Sequence, residues 1–185
     1  MRASSVQSDF SWNDRNWCVK EVCTVQQCDA FLSQIVEELR NPHWHCIFNP
    51  DNKRRQLSLK RKSGALVPEH LKAKFFEIFD NISPPNMSLD TISILHSLAG
   101  CEQQQLHKDY ADDECGISCL LAICEGTRIV IDHGDNYRPL ELNVGQCVFF
   151  KGDVVHAGAG YDAENIRLHA YYDSGSRRDD YTYLV

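Results

Sequence analysis

The stretch GISCLLAICEGTRIVID, residues 116–132, joins two short apolar runs through a turn at Gly126. The first run is apolar and the second is rich in β-branched residues, which favour strands, and glycine allows the tight connection between them. Similar runs, separated by turn residues, follow one another throughout residues 89–173. About eight short strands in succession are typical of a sandwich or a jelly-roll barrel. We therefore predict a mainly β fold with a jelly-roll barrel, or double-stranded β-helix, as its core.

Two amphipathic α-helices are predicted before this barrel, and we expect them to support it by packing on the outside of one sheet. Residues 24–42 open with a capping-box pattern at Thr24 and Gln27 and then repeat apolar residues, Val36 among them, at helical spacing. Residues 68–85 begin with a proline suited to a first helical turn and end at a Pro-Pro pair.

The chain reads as a single domain over residues 1–185, because no repeat, low-complexity stretch or linker divides it. Within it we distinguish an N-terminal supporting segment, residues 1–88, from the barrel core, residues 89–173. Residues 174–185 form a C-terminal tail to which we assign no function. In the supporting segment, KRRQLSLKRK at residues 53–62 alternates leucines with polar residues, as a half-buried strand does.

Composition limits the classes of protein to consider. With 43% hydrophobic residues and no apolar run long enough to cross a bilayer, we expect a globular protein that does not span a membrane. The first residues lack the apolar stretch of a secretion signal, so an intracellular location, cytoplasmic or nuclear, is predicted. Nine cysteines in a reducing compartment predict free thiols, and a net charge of −7 argues against generic nucleic-acid binding.

A candidate metal site begins in QQQLHKDY, residues 103–110. His107 and Asp109 are two apart, so on a strand both can face the barrel interior. The third candidate ligand is His156, which follows an apolar strand and a KGD turn. Two histidines and one carboxylate leave about three coordination positions of iron(II) free, unlike the closed set of a structural zinc site.

An anionic co-substrate bound inside the barrel would need a fixed cation, and the forked guanidinium of arginine suits a carboxylate. Arg167 lies on the next predicted strand, NIRLHAYYD. By alternation it shares one face of that strand with His169 and Tyr171, so a cation and a hydroxyl partner can both point inward.

This pattern of His107-x-Asp109, a distal His156 and then Arg167 resembles the iron(II)- and 2-oxoglutarate-dependent dioxygenases. The resemblance implies that the triad holds Fe(II) and that Arg167 pairs with the distal carboxylate of 2-oxoglutarate. It further implies O2 as second co-substrate, Tyr171 or His169 as assistants of the arginine, and ascorbate as a possible accessory. The implied reaction is hydroxylation of a C–H bond, or demethylation where the carbon sits on nitrogen. Meanwhile 2-oxoglutarate would be decarboxylated to succinate and CO2.

Two charged segments bear on the substrate. Residues 53–62 carry six cations that suit phosphates or an acidic peptide, or else keep a solvated edge strand from aggregating. Residues 112–114, which are acidic, would form a rim that favours a cationic substrate, or else a solvated loop. We therefore rank a protein, a peptide or a small molecule as substrate slightly above a nucleic acid undergoing dealkylation. The oligomeric state stays open.

Two alternatives belong to other functional classes. A non-catalytic jelly-roll binding module would be expected to have lost at least one of the four residues of the triad and arginine. A cupin-like metalloenzyme would not use 2-oxoglutarate. Its first motif resembles HxH with a downstream glutamate, whereas HxD stands here.

Overall fold

The computed structural model describes residues 10–39, 44–46, 52–60, 69–111, 115–174 and 183–184. Its elements follow in the order β1 (Trp17–Glu21), α1 (Val25–Glu38), β2 (His45–Cys46), β3 (Arg54–Lys60), α2 (Glu69–Asn81), β4 (Ser88–Ser97), β5 (His107–Lys108), β6 (Gly116–Ala122), β7 (Arg128–Asp132), β8 (Tyr137–Glu141), β9 (Gln146–Lys151), β10 (His156–Gly158), β11 (Asn165–Asp173) and β12 (Tyr183–Leu184). The predicted mainly β fold with two helices is confirmed.

The strands form two antiparallel sheets. The larger sheet has seven strands in the order β1-β9-β6-β11-β4-β3-β2, and the smaller has five in the order β12-β5-β10-β7-β8. An apolar layer fills the space between the sheets, with Leu120 and Phe150 from the larger sheet packed against Ile129 and Ile131 from the smaller. Alternation along each strand supplies this layer, because every second residue points inward. The arrangement confirms the jelly-roll barrel.

Both helices pack on the outer face of the larger sheet. The capping box of α1 is formed as predicted: the Thr24 backbone N–H donates to the Gln27 side-chain oxygen at 2.8 Å, and the Gln27 N–H donates to the Thr24 hydroxyl at 3.2 Å. Cys28 and Ile35 are fully buried against the sheet. Val36, which the spacing placed on the same face, is instead 52% exposed. The buried face of the helix is formed by Cys28, Phe31 and Ile35, and Val36 lies beside that face.

The N-terminal segment contributes strands as well as helices. Strand β1 pairs with β9, and β3 pairs with β4, so both extend the larger sheet. The strand predicted in residues 53–62 is therefore confirmed as β3, whereas β1 and β2 had no counterpart in the prediction. Strand β12, in the predicted tail, pairs with β5. The division at residue 88 stays a prediction.

Two further predictions concern the chain as a whole. The eight cysteines whose side chains the structure describes are free thiols, most of them buried or half-buried. None of the helices in the described residues is both long enough and apolar enough to cross a bilayer.

Candidate active site

The three candidate metal ligands come together inside the barrel. His107 and His156 lie directly opposite each other on the antiparallel strands β5 and β10, and Asp109 follows β5. One ligand atom from each of the three lies within 4.8 Å of the others, and all three side chains are buried. The structure thus brings His156, which is distant in sequence, next to His107 and Asp109.

Both histidines are oriented by backbone carbonyls. The Nδ1 atom of His107 lies 2.8 Å from the carbonyl oxygen of Gln105, and that of His156 lies 3.0 Å from the carbonyl oxygen of Val154. A carbonyl can only accept, so each Nδ1 must carry the proton and donate. In the neutral form of such a ring the lone pair is at Nε2, where it can bind a metal. The Nε2 atom of His156 lies 3.6 Å from Asp109 Oδ2.

The carboxylate of Asp109 is held from a neighbouring strand. The hydroxyl of Ser118, which is fully buried on β6, donates to Asp109 Oδ2 at 2.6 Å. The Nε2 atom of His169 on β11 lies 3.7 Å from the same oxygen. These contacts fix the carboxylate in the orientation that faces the two imidazoles, as outer-shell partners of metal ligands commonly do.

The electrostatics of the site favour a metal ion over protons. Burial, and next the neighbouring His156, lower the pKa of His107 to about 4. The imidazole of His107 is therefore neutral at pH 7 and available as a ligand. Two imidazole nitrogens and one carboxylate are a donor set suited to divalent iron, and three ligands from one side leave positions open for other molecules.

Arg167 lies fully within the barrel on β11. Its Nη1 atom donates to the Ser97 hydroxyl at 3.1 Å and to the Asn165 side-chain oxygen at 3.3 Å, whereas its Nη2 atom has no hydrogen-bond partner. A buried donor without an acceptor is rare and unfavourable, so this arrangement calls for an acceptor that enters the barrel. The residues present therefore fit an acidic co-substrate.

The two residues predicted to assist Arg167 lie further along the same face of β11. His169 contacts Asp109, as described, and its ring packs edge-on against Tyr171 with 4.5 Å between ring centres. Tyr171 also packs edge-on against Tyr110 at 6.4 Å. The structure therefore places His169 next to the metal ligands, and its predicted part in co-substrate binding stays a prediction, as does that of Tyr171.

Arg54 is a buried cation inside the barrel, a position that the sequence analysis did not predict. We interpreted the charged stretch at residues 53–62 as a basic surface or a solvated edge strand, but β3 is not an edge strand, since β2 pairs with its outer side. Arg54 is fully buried and points into the barrel. Arg55, on the opposite face, stacks on Trp44 and donates to His96. The acidic residues 112–114 and the basic residues 61–62 lie outside the described part of the chain.

No protein-family model and no curated protein sequence matches the chain. Solved structures do resemble it. A prolyl-4-hydroxylase from Pseudomonas putida has a TM-score of 0.62 at 13% identity, covering 86% of this chain and 93% of its own. A prolyl hydroxylase from Trichoplax adhaerens, solved with a hypoxia inducible factor peptide fragment, has a TM-score of 0.65 at 10% identity, with 89% and 86% covered.

A third structure shows the same fold with ligands bound. The epimerase SnoN, solved with Fe3+, alpha ketoglutarate and nogalamycin RO, has a TM-score of 0.61 at 13% identity, covering 92% of this chain and 91% of its own. At such identities the likeness concerns the fold. The comparison thus confirms the predicted barrel fold, which this chain has in common with these three structures.

Proposed function

We propose that this protein is an iron(II)- and 2-oxoglutarate-dependent dioxygenase that hydroxylates or demethylates a protein side chain or a small molecule. The observation that carries the proposal is the buried set of His107, Asp109 and His156, with Arg167 buried on the strand beside them. In this proposal the three ligands hold Fe(II), and 2-oxoglutarate and O2 take the open positions. Ascorbate stays a prediction on which no contact in the structure bears.

The position of Arg167 supports 2-oxoglutarate as co-substrate. His169, which lies 3.7 Å from Asp109, and Arg167 are alternate residues on one face of β11. Such residues are about 7 Å apart, a separation that a short dicarboxylic acid can span. The keto-acid end would then reach the metal while the distal carboxylate meets the unpartnered Nη2 of Arg167.

The chain itself contributes orientation and exclusion of water. When bound, iron would activate O2 at the expense of 2-oxoglutarate, which is chemistry that protein side chains do not supply. The Gln105 and Val154 carbonyls hold the imidazoles with Nε2 inward, and Ser118 holds the carboxylate. Phe150 packs against His156 with 4.5 Å between ring centres and forms an apolar wall that keeps bulk water out.

The described contacts of the basic stretch support a protein or small-molecule substrate over a nucleic acid. A phosphate-binding surface needs exposed cations. Arg54 is buried, Arg55 stacks on Trp44, and the Nζ atom of Lys53 donates to the Gly100 carbonyl at 3.0 Å. The Trichoplax prolyl hydroxylase, which was solved with a peptide, gives the peptide alternative a precedent within this fold.

The proposal is tested by anaerobic titration with Fe(II) and then with 2-oxoglutarate, following the weak visible charge-transfer band that chelation of iron by the keto acid produces. We expect the band in the wild type and its loss in His107→Ala. Arg167→Ala should retain iron but need much more 2-oxoglutarate. His133→Ala is the matched control, because it removes a half-buried histidine outside the triad.

The other outcomes separate the alternatives. If iron binds without the band, the protein is a cupin-like metalloenzyme that does not use 2-oxoglutarate. If no iron binds, it is a non-catalytic binding module. If the band appears but is unchanged in Arg167→Ala, the reaction class stands and another cation binds the distal carboxylate.

A further inference from the structure

A second buried arginine lies beside Arg167. The guanidinium carbon of Arg167 is 4.8 Å from the centre of the Tyr161 ring, and that of Arg54 is 5.9 Å from the same centre. The two side chains come from different strands, β11 and β3, and both are essentially inaccessible to solvent, with 1% and 0% exposure. The charge of Arg167 acts on the pKa of Arg54, so the two cations lie near each other inside the barrel.

The hydrogen bonds of Arg54 involve only one of the three nitrogen atoms of its guanidinium group. Its Nη2 atom donates to the carbonyl oxygens of Ala159 at 2.7 Å, Glu102 at 3.2 Å and Gly158 at 3.3 Å. Its Nε and Nη1 atoms, like Nη2 of Arg167, have no hydrogen-bond partner. Since buried donors are nearly always paired, three unpaired ones at one place point to an acceptor from outside the chain.

Arginine side chains keep their charge at neutral pH even where they are buried. Burial, and then the neighbouring charge of Arg167, lower the pKa of Arg54 to about 10, which is still well above 7. Within the described residues neither guanidinium forms an ion pair with a carboxylate. Burying like charges together is unfavourable unless an anion compensates them, so the pocket has an excess positive charge that a bound acid would neutralise.

Both arginines are close in sequence or by contact to strand positions two residues from the candidate site, on β11 and on β10. On β11, Arg167 is two residues from His169, which adjoins Asp109. On β10, Gly158, whose carbonyl accepts from Arg54, is two residues from His156. A Cβ atom at this position would overlap Nη1 of Arg54 and the side-chain oxygen of Gln104, so a larger residue would displace both side chains. The absence of a side chain at Gly158 thus leaves room for the Arg54 guanidinium beside the strand that carries His156.

We propose that Arg54 is a specificity-determining residue of the co-substrate pocket, and that the distal carboxylate of 2-oxoglutarate is bound between the guanidiniums of Arg54 and Arg167. This inference rests on the proposed function and extends it to a residue outside the sequence motif. It also sets the ligand class: the pocket requires an acid at its inner end and discriminates against 2-oxo acids that lack one.

The test is calorimetric titration of zinc-loaded protein, in which Zn(II) replaces Fe(II) so that no turnover occurs. Two ligands are compared: 2-oxoglutarate, and 2-oxopentanoate, which has a methyl group in place of the distal carboxylate. We expect Arg54→Met to weaken 2-oxoglutarate binding about 10- to 100-fold, the range for a lost charge-assisted hydrogen bond, and to leave 2-oxopentanoate binding unchanged. Arg55→Met, on the same strand but the opposite face, should change neither.

A purely structural role for Arg54, tying β3 to the carbonyls of residues 102, 158 and 159, predicts a different result. In that case Arg54→Met would weaken both ligands equally or neither, and either outcome overturns the proposal. If Arg54→Met does not fold, Arg54→Lys serves instead. It keeps the charge but loses the fork, and it should still lower the preference for 2-oxoglutarate over 2-oxopentanoate.

Failure of the proposed function has a separate outcome. If the wild-type protein binds neither 2-oxo acid, the same variants are titrated without metal against glutarate, a dicarboxylate with no keto group. Glutarate binding that depends on Arg54 retains the two-arginine acid pocket while discarding the oxygenase. No binding of glutarate overturns the pocket as well.

Discussion

Substitution of Ser118 by alanine tests how firmly the protein must hold its carboxylate ligand. The Ser118 hydroxyl is fully buried and donates to Asp109 Oδ2 at 2.6 Å, a short bond to a charged acceptor. Hydrogen bonds to charged groups contribute about 1.5–3 kcal/mol. If this energy acts through the orientation of Asp109, Ser118→Ala should weaken metal binding about 10- to 150-fold.

The assay is competition for Fe(II) under anaerobic conditions against a chelator of known affinity. Ser93→Ala is the matched control, since Ser93 is also a buried serine on the larger sheet but has its 3.3 Å contact with the Ser58 hydroxyl, away from the ligands. Wild-type affinity in Ser118→Ala would refute the reasoning, because Asp109 would then be positioned without the hydroxyl. Equal losses in both variants would show a general loss of packing.

Three further predictions concern pH, the acid pocket and the outer core. The pKa of His107 is about 4 in the folded protein and about 6.5 in the unfolded chain, so the unfolded chain binds the proton first and the free energy of unfolding decreases as the pH is lowered through that window. In urea unfolding of the metal-free protein, this group should lower the free energy of unfolding by about 2 kcal/mol at pH 5 relative to pH 7. The decrease should be smaller in His107→Gln, and an equal decrease in both proteins would contradict the role of His107. Gly158→Ala should displace Arg54 and weaken 2-oxoglutarate about 10-fold in calorimetry, with zinc affinity unchanged. Loss of zinc affinity would instead place the damage at His156. Tyr172→Phe should cost about 1 kcal/mol in urea unfolding, because the Tyr172 hydroxyl donates to the Phe79 carbonyl at 2.7 Å at the end of α2; an unchanged midpoint would show that water replaces it.

Features that depend on local patterns could be predicted from the sequence. The capping box at Thr24 and the short apolar runs after residue 89 appear in the structure as α1 and as the strands of the barrel. The proximity of His107 to Asp109 follows from their spacing. His156 was chosen as the third ligand because it follows an apolar strand and a tight turn, but its position beside His107 depends on a single cross-strand pair that no local pattern specifies.

Features that depend on what covers a strand could not be predicted. The leucines at 57 and 59 mark one buried face of β3, but alternation reads the same whether the other face meets water or a barrel interior. The fully buried Arg54 was therefore taken for a surface charge. Strands β2 and β12 have two residues each, too few to show a period, so the partner of the ligand strand was also missed.

The shortness of β5 has a consequence for the life of the protein in a cell. This strand has two residues and meets β10 through one residue pair, yet it supplies one ligand and positions a second. A bound metal would therefore link β5 to β10, which the backbone joins through only one residue pair. Because a ligand that binds the folded form raises its stability, the metal would stabilise this part of the barrel. We expect iron scarcity to open this corner of the barrel to proteases, so that the amount of the protein, and not only its turnover, follows the iron supply.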